Sequence, residues 1–140
     1  MKYKLLVAIC TFFILTNCTI NNDTANSIET VQIKWSLVRV NGGIAGVTEQ
    51  FGLNTIVWVF NEATLVLTVV NNNTDDSMED GLDSGTYTYS VTKDDTNSYL
   101  TVNANELGSF TLTTDNLAID ENEKSTGSGT DGFVYIFEKL

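Results

Sequence analysis

Phe133-Val134-Tyr135-Ile136-Phe137-Glu138-Lys139 is the stretch that decides the fold. Extended, it sends Phe133, Tyr135 and Phe137 to one side and Val134 and Ile136 to the other, because successive side chains of a strand point to opposite faces. A strand apolar on both faces needs cover on both sides or a place between pairing partners. It is also the last strand of the chain, so pairing it with the first would remove two exposed sheet edges at once. That pairing is the signature of a closed sheet.

Seven more runs of the same texture precede it. Gln32 to Val40 places Ile33, Trp35, Leu37 and Arg39 on one face and Lys34 and Ser36 on the other, with Trp35 as a core anchor. Thr55 to Asn61 alternates Ile56, Trp58 and Phe60 with Thr55, Val57 and Val59, and Thr64 to Val70 carries Leu65, Leu67 and Val69. The short Asn61-Glu62-Ala63 link reads as a hairpin turn. Gly85 to Thr92 sets Tyr87, Tyr89 and Val91 against Thr86, Thr88 and Ser90, a strand with one face in water. Tyr99 to Asn103, Ser109 to Thr113 and Leu117 to Asp120 are shorter. No stretch has a helical period, and the absence of proline leaves every backbone N–H able to pair. The fold class is therefore all-β, with eight antiparallel strands that could form a β-sandwich or an up-and-down barrel. The succession of short links favours the barrel, and eight strands enclose just enough room for side chains or one small ligand.

Ahead of the strands the chain changes character. Lys2 and Lys4 precede an uncharged apolar block from Leu5 to Leu15, the pattern of a secretion signal. That block is short of the roughly 20 residues needed to span a bilayer, so cleavage is expected. Leu15-Thr16-Asn17-Cys18 resembles the bacterial lipobox, which implies acylation of Cys18 and a signal peptide over residues 1–17; a plain secretory peptide with an incidental cysteine is the alternative. Residues 18–30 are polar and aperiodic, as in a tether. Residues 31–140 then make one domain. Cys10 lies in the apolar block, so no disulfide framework remains and the core itself must stabilise the domain.

Composition narrows the function further. The chain carries a net charge of −11; without Lys2 and Lys4, five basic residues face eighteen acidic ones, a net charge of −13. Nucleic acid is excluded as a partner on that balance. An anionic membrane would repel the domain as well, so membrane attachment would come from the acyl chains. The chain has no histidine and its mature thiol would be acylated, which removes most nucleophile and base pairs and every imidazole metal site. No enzyme activity, metal or cofactor is expected. Asn71 to Ser84 packs Asp75, Asp76, Glu79, Asp80 and Asp83 closely, but its spacing misses the calcium-loop pattern and reads as a solvated loop. Glu121 to Gly132 reads as a mobile hairpin tip.

The early tryptophan in Ile33-Lys-Trp-Ser-Leu37, the Gly42, Gly43 and Gly46 loop, the aromatic strand ending at Phe60, the Ser84-Gly85-Thr-Tyr-Thr-Tyr89 opening, Asn116-Leu-Ala-Ile-Asp120 and the terminal Tyr135-Ile-Phe-Glu-Lys139 resemble the small lipocalin-like domains of Bacteroidetes lipoproteins. The resemblance implies a calyx for a small apolar molecule with Trp35 plugging one end. Lys139 would either stack over Trp35 or reach into water. It also implies that the Asn41 to Asn54 loop crosses the open mouth, with Ile44, Val47, Phe51 and Leu53 either facing the cavity or capping the core. The expected function is a lipid-anchored binding protein of the cell envelope, at the outer membrane, whose candidate lining or plug is Trp35, Trp58, Phe60, Tyr87, Tyr89, Phe110, Tyr135, Phe137 and Phe51. Two alternatives stand beside it: a structural or protein-interaction lipoprotein with a filled barrel, and a carbohydrate-binding module stacking sugars on an exposed Tyr99 or Trp58.

Overall fold

The structure, a computed structural model, describes residues 32–140. The expected signal peptide, Cys18 and the expected tether lie outside the described residues. Eleven strands follow in order: β1 (Gln32–Gly42), β2 (Val47–Gln50), β3 (Ile56–Asn61), β4 (Val66–Asn71), β5 (Gly85–Lys93), β6 (Ser98–Val102), β7 (Asn105–Leu112), β8 (Asn116–Asp120), β9 (Glu123–Lys124), β10 (Gly127–Ser128) and β11 (Phe133–Lys139). Each of the eight strands read from the sequence is present, with ends moved by a few residues.

Eight of them close into an antiparallel barrel in the order β1, β3, β4, β5, β6, β7, β8, β11. Closure is made by β11, which pairs with β8 on one edge and with β1 on the other, from Trp35 opposite Lys139 to Gly42 opposite Phe133. The doubly apolar run thus sits between two partners, as its composition requires. β1 is long enough to serve two neighbours on its second edge. Its first half pairs with β3 and its second half with β2, the return strand of a hairpin turned at Gly43 to Gly46. β2 was not legible in the glycine-rich stretch that contains it.

Two bulges bend the sheet into a tube. In β1 the register against β11 slips between Leu37 and Arg39, leaving Val38 as the extra residue. The slip inverts the alternation after it: Val40 is buried and Arg39 is exposed, correcting the expectation that Arg39 shares the Trp35 face. In β7 the slip lies at Leu107, beside Gly108 at φ 149°. A Cβ on Gly108 would sit 2.0 Å from the Asp120 carbonyl oxygen, so the close approach of β7 to β8 admits only glycine there. Leu65 differs as well: it takes φ 54° in the turn before β4 and is exposed rather than on the core face.

Inside, Trp58, Phe137, Leu37, Ile56, Leu67 and Ile119 fill the middle of the barrel with essentially no exposure. The Trp58 and Phe137 rings meet at 4.9 Å with a 56° tilt, a contact worth about 0.5–1.5 kcal/mol beyond the area it buries.

The two ends of the tube are built differently. At the end where β1 finishes and β11 begins, hereafter the Gly42 end, two of the connections are long, whereas β6 and β7 are joined by a two-residue turn. The 72–84 segment folds over it, packing Leu82 on the core and laying Gly81 against the Tyr135 and Trp58 rings. The 121–132 segment is paired as the β9–β10 hairpin and pinned by Lys124 Nζ, which donates to the carbonyls of Glu106 (2.7 Å) and Leu107 (2.6 Å). The hairpin expected here from the sequence is present, with its tip exposed. At the opposite end, where β1 starts, only the turns at 62–65, 94–97 and 113–115 connect strands. Short turns cannot reach across a barrel, and among the described residues nothing covers this Trp35 end.

Candidate functional site

A cavity of 160 Å³ occupies the Trp35 end. β1 contributes Ile33 and Trp35 to its wall, β3 contributes Phe60, and β5 contributes Tyr89 and Val91. Leu100 of β6, Phe110 and Leu112 of β7 and Leu117 of β8 complete it. Inward alternation explains the set: each residue shares the core-facing parity of its strand. Phe60 joins the cavity to the filled middle, meeting Tyr89 edge to face at 5.1 Å and Trp58 at 6.2 Å.

Polar side-chain atoms in this lining belong to Glu62, Tyr89 and the Trp35 indole. Glu62, exposed in the β3–β4 turn, is the only charged residue of the lining. Burial first, and the Glu62 carboxylate second, push the Tyr89 hydroxyl above its ordinary value, so it stays a neutral donor. Such walls hold an apolar body by exclusion of water.

At the Gly42 end there is a smaller void of 60 Å³ between Trp58, Gly81, Leu82, Leu107, Glu121 and Tyr135. The Tyr135 hydroxyl donates to Glu79 Oε1 at 3.0 Å and approaches Glu121 Oε1 at 3.4 Å. Burial, with the negative charges of Glu121 and Glu79 behind it, holds this phenol far above its ordinary value. Trp58 Nε1 is buried there without a protein hydrogen-bond partner.

Of the nine aromatic residues singled out from the sequence, Trp35, Phe60, Tyr89 and Phe110 come together around the cavity. Trp58 and Phe137 are core, Tyr135 bounds the small void, and Phe51 is half-buried against the core. Tyr87 turns its hydroxyl to the Asp83 carbonyl at 2.8 Å. Sequence reasoning missed Ile33, Val91, Leu100, Leu112, Leu117 and Glu62, because it weighed aromatic rings and passed over aliphatic residues of the same parity.

The position of the mouth is also corrected. The cavity opens beside Trp35, which forms wall rather than plug, and the 41–54 segment lies toward the other end. Ile44 is 90% exposed at a hairpin tip and Leu53 is 57% exposed, so neither faces the cavity. The 51–55 stretch packs on the outside of β1, where the Asn54 N–H donates to Ser36 Oγ at 2.9 Å. Lys139 stands opposite Trp35 in register and is exposed. Trp58 and Tyr99, the two candidate sugar platforms, are 1% and 5% exposed, and Tyr99 is tied by its hydroxyl to Asp94. Neither presents a flat ring to solvent.

Comparison with protein-family models, with curated proteins and with solved structures finds no match to this chain.

Proposed function

We propose that the protein is a lipid-anchored binding protein of the cell envelope, tethered at the outer membrane through Cys18, that holds a small apolar molecule in its barrel without transforming it. One observation carries this reading: the barrel is filled through its middle, and the larger of its two described cavities, lined almost wholly by apolar side chains, lies at the Trp35 end. A protein that needed only a stable β domain would gain by filling that space, since close packing is the normal state of an interior.

Size defines the ligand. A dry apolar cavity of about 150 Å³ takes a benzene-sized guest, whereas drug-sized ligands occupy roughly 300–1,000 Å³. At 160 Å³ the cavity suits a single ring or a short branched chain and is too small to enclose a retinoid or a sterol. Glu62 at the mouth disfavours a carboxylate on the ligand by like-charge repulsion. Neutral molecules are therefore preferred to fatty acids.

The test uses the two tryptophans. Trp35 lines the cavity and Trp58 does not, so in a Trp58→Phe chain titrated with benzene, cyclohexane and hexanol, saturable change of the remaining fluorescence is expected. A Trp35→Phe chain should show none with the same compounds. No saturable response in either chain would sink the ligand-binding reading and leave a structural role for the half-filled barrel.

A further inference from the structure

We infer that the Trp35 end of the barrel is a docking face for the lipid bilayer, so that the cavity opens into the membrane rather than into water. The inference rests on the anchored-carrier reading and adds an orientation and a source for the ligand.

Three independent observations meet at this rim. The described chain starts here, with Gln32 as the first residue of β1, so whatever precedes it joins the barrel at the same end as the mouth. Four of the seven exposed large apolar side chains surround this opening: Leu65 in the β3–β4 turn, Val91 and Leu112 at the lips of the cavity, and Leu140; the other three, Ile44, Leu53 and Val70, lie apart from it in the 41–54 segment and in β4. Apolar side chains clustered around an opening mark a contact surface, whereas the same residues scattered singly would need no explanation.

Charge supplies the third. Among the described residues, Lys34, Lys93 and Lys139 stand in the half of the barrel toward this rim, with Glu62, Asp94, Asp95, Asp115 and Glu138. The other eleven acids lie toward the Gly42 end with only Arg39 and Lys124. The mouth half thus carries a net charge of −2, three lysines against five acids, and the closed half −9, two basic residues against eleven acids. Eleven residues of β1 at roughly 3.3 Å each, tilted as barrel strands are, separate the ends by about 25–30 Å. That is some three Debye lengths at physiological salt, so a bilayer touching the rim feels mainly the local charge. Lysine stems can lie along the apolar lip while their ammonium groups reach phosphates. Net acidity, which argued against membrane contact for the domain as a whole, falls mainly on the closed end and only weakly on the mouth.

The experiment places an environment-sensitive dye at either end of the full chain carrying Cys10→Ser, through Leu65→Cys in one chain and Ile44→Cys in another. Each is mixed with vesicles of phosphatidylethanolamine and phosphatidylglycerol bearing brominated acyl chains. A blue shift with bromine quenching at position 65, and neither at position 44, is the expected result. Equal responses at both positions, no response at 65, or a shift at 65 that grows with protein concentration in the absence of vesicles would overturn the docking face, the last in favour of self-association. The intact mass of the same samples reports the anchor separately. An acylated chain with no shift at 65 refutes the docking and keeps the anchor; a Cys18→Ser chain, whose one thiol is the dye-bearing one at position 65, that still shows the shift keeps the docking without the anchor.

Discussion

Replacing Val91 by tryptophan should make the domain more stable and weaken its binding at the same time. Val91 faces inward at the lip of the cavity, opposite Leu100 in β6, and is 42% exposed, so a larger side chain has both space below and freedom above. An aromatic side chain buries about 150–250 Å² when enclosed, and the increment over valine here is roughly 100 Å². At about 25 cal/mol per Å² that is near 2.5 kcal/mol, from which immobilising the ring removes about 0.5–1.5 kcal/mol. The net gain is about 1–2 kcal/mol, and tryptophan suits a strand. For a domain of this size that raises Tm by about 4–8 °C. A guest would have to evict the ring, which weakens its binding by about 5- to 30-fold. Urea unfolding followed by circular dichroism gives the first quantity and calorimetric titration with benzene the second. A variant that is less stable than its parent and still binds benzene as tightly would refute the reasoning, because it would mean that the space beneath Val91 does not exist.

Gly108→Ala should cost more than 3 kcal/mol, since the added Cβ meets the Asp120 backbone and the residue sits at positive φ; a urea midpoint close to the parent's would show that β7 and β8 are not so closely apposed. Ala104 occupies the left-handed region, with Asn103, in the two-residue β6–β7 turn, so Ala104→Gly should stabilise by about 0.5–1 kcal/mol in the same measurement. Asp94 accepts from the backbone N–H groups of Asn97 and Thr96 and from the Tyr99 hydroxyl, which lowers its carboxyl from 3.8 to about 2. Because the folded value is the lower, its contribution is present above pH 3.8 and lost as pH falls toward 2; a carboxyl NMR titration checks the midpoint, and Asp94→Ala should flatten that part of the acid-unfolding curve. Tyr135 has the opposite sign: its folded value is raised, so stability should fall as pH rises above 10, and Tyr135→Phe should blunt that alkaline loss in a pH series of unfolding curves.

Part of the molecule was legible one residue at a time. Alternation in Ile56-Val-Trp-Val-Phe60 and Tyr87-Thr-Tyr89 is a local property, because a strand's side-chain period does not depend on its neighbours, and it identified strands and most inward faces. β1 was half legible. Trp35 and Leu37 followed the period, but the Val38 bulge depends on how β11 lies against β1, and only the step of three from Leu37 to Val40 hinted at it. The 72–84 segment looked like a solvated acidic loop, and most of it is; Leu82, set between Gly81 and Asp83, was the one sign that it dips into the barrel. Of the cavity, the aromatic wall was visible as parity, whereas Leu100, Leu112 and Leu117 were indistinguishable from core aliphatics until the barrel was closed around them.

The sequence by itself determined that the chain is all-β and that its last strand had to lie between two others, because a run apolar on both faces has no stable place at an edge. Tertiary structure alone decided which end of the tube is open. That outcome turns on the lengths of connections at opposite ends, on Leu82 and Gly81 folding over Trp58 and Tyr135, and on short turns failing to cover Trp35. These are relations between segments far apart in the chain, and no local pattern of residues encodes which of two ends a loop will cover.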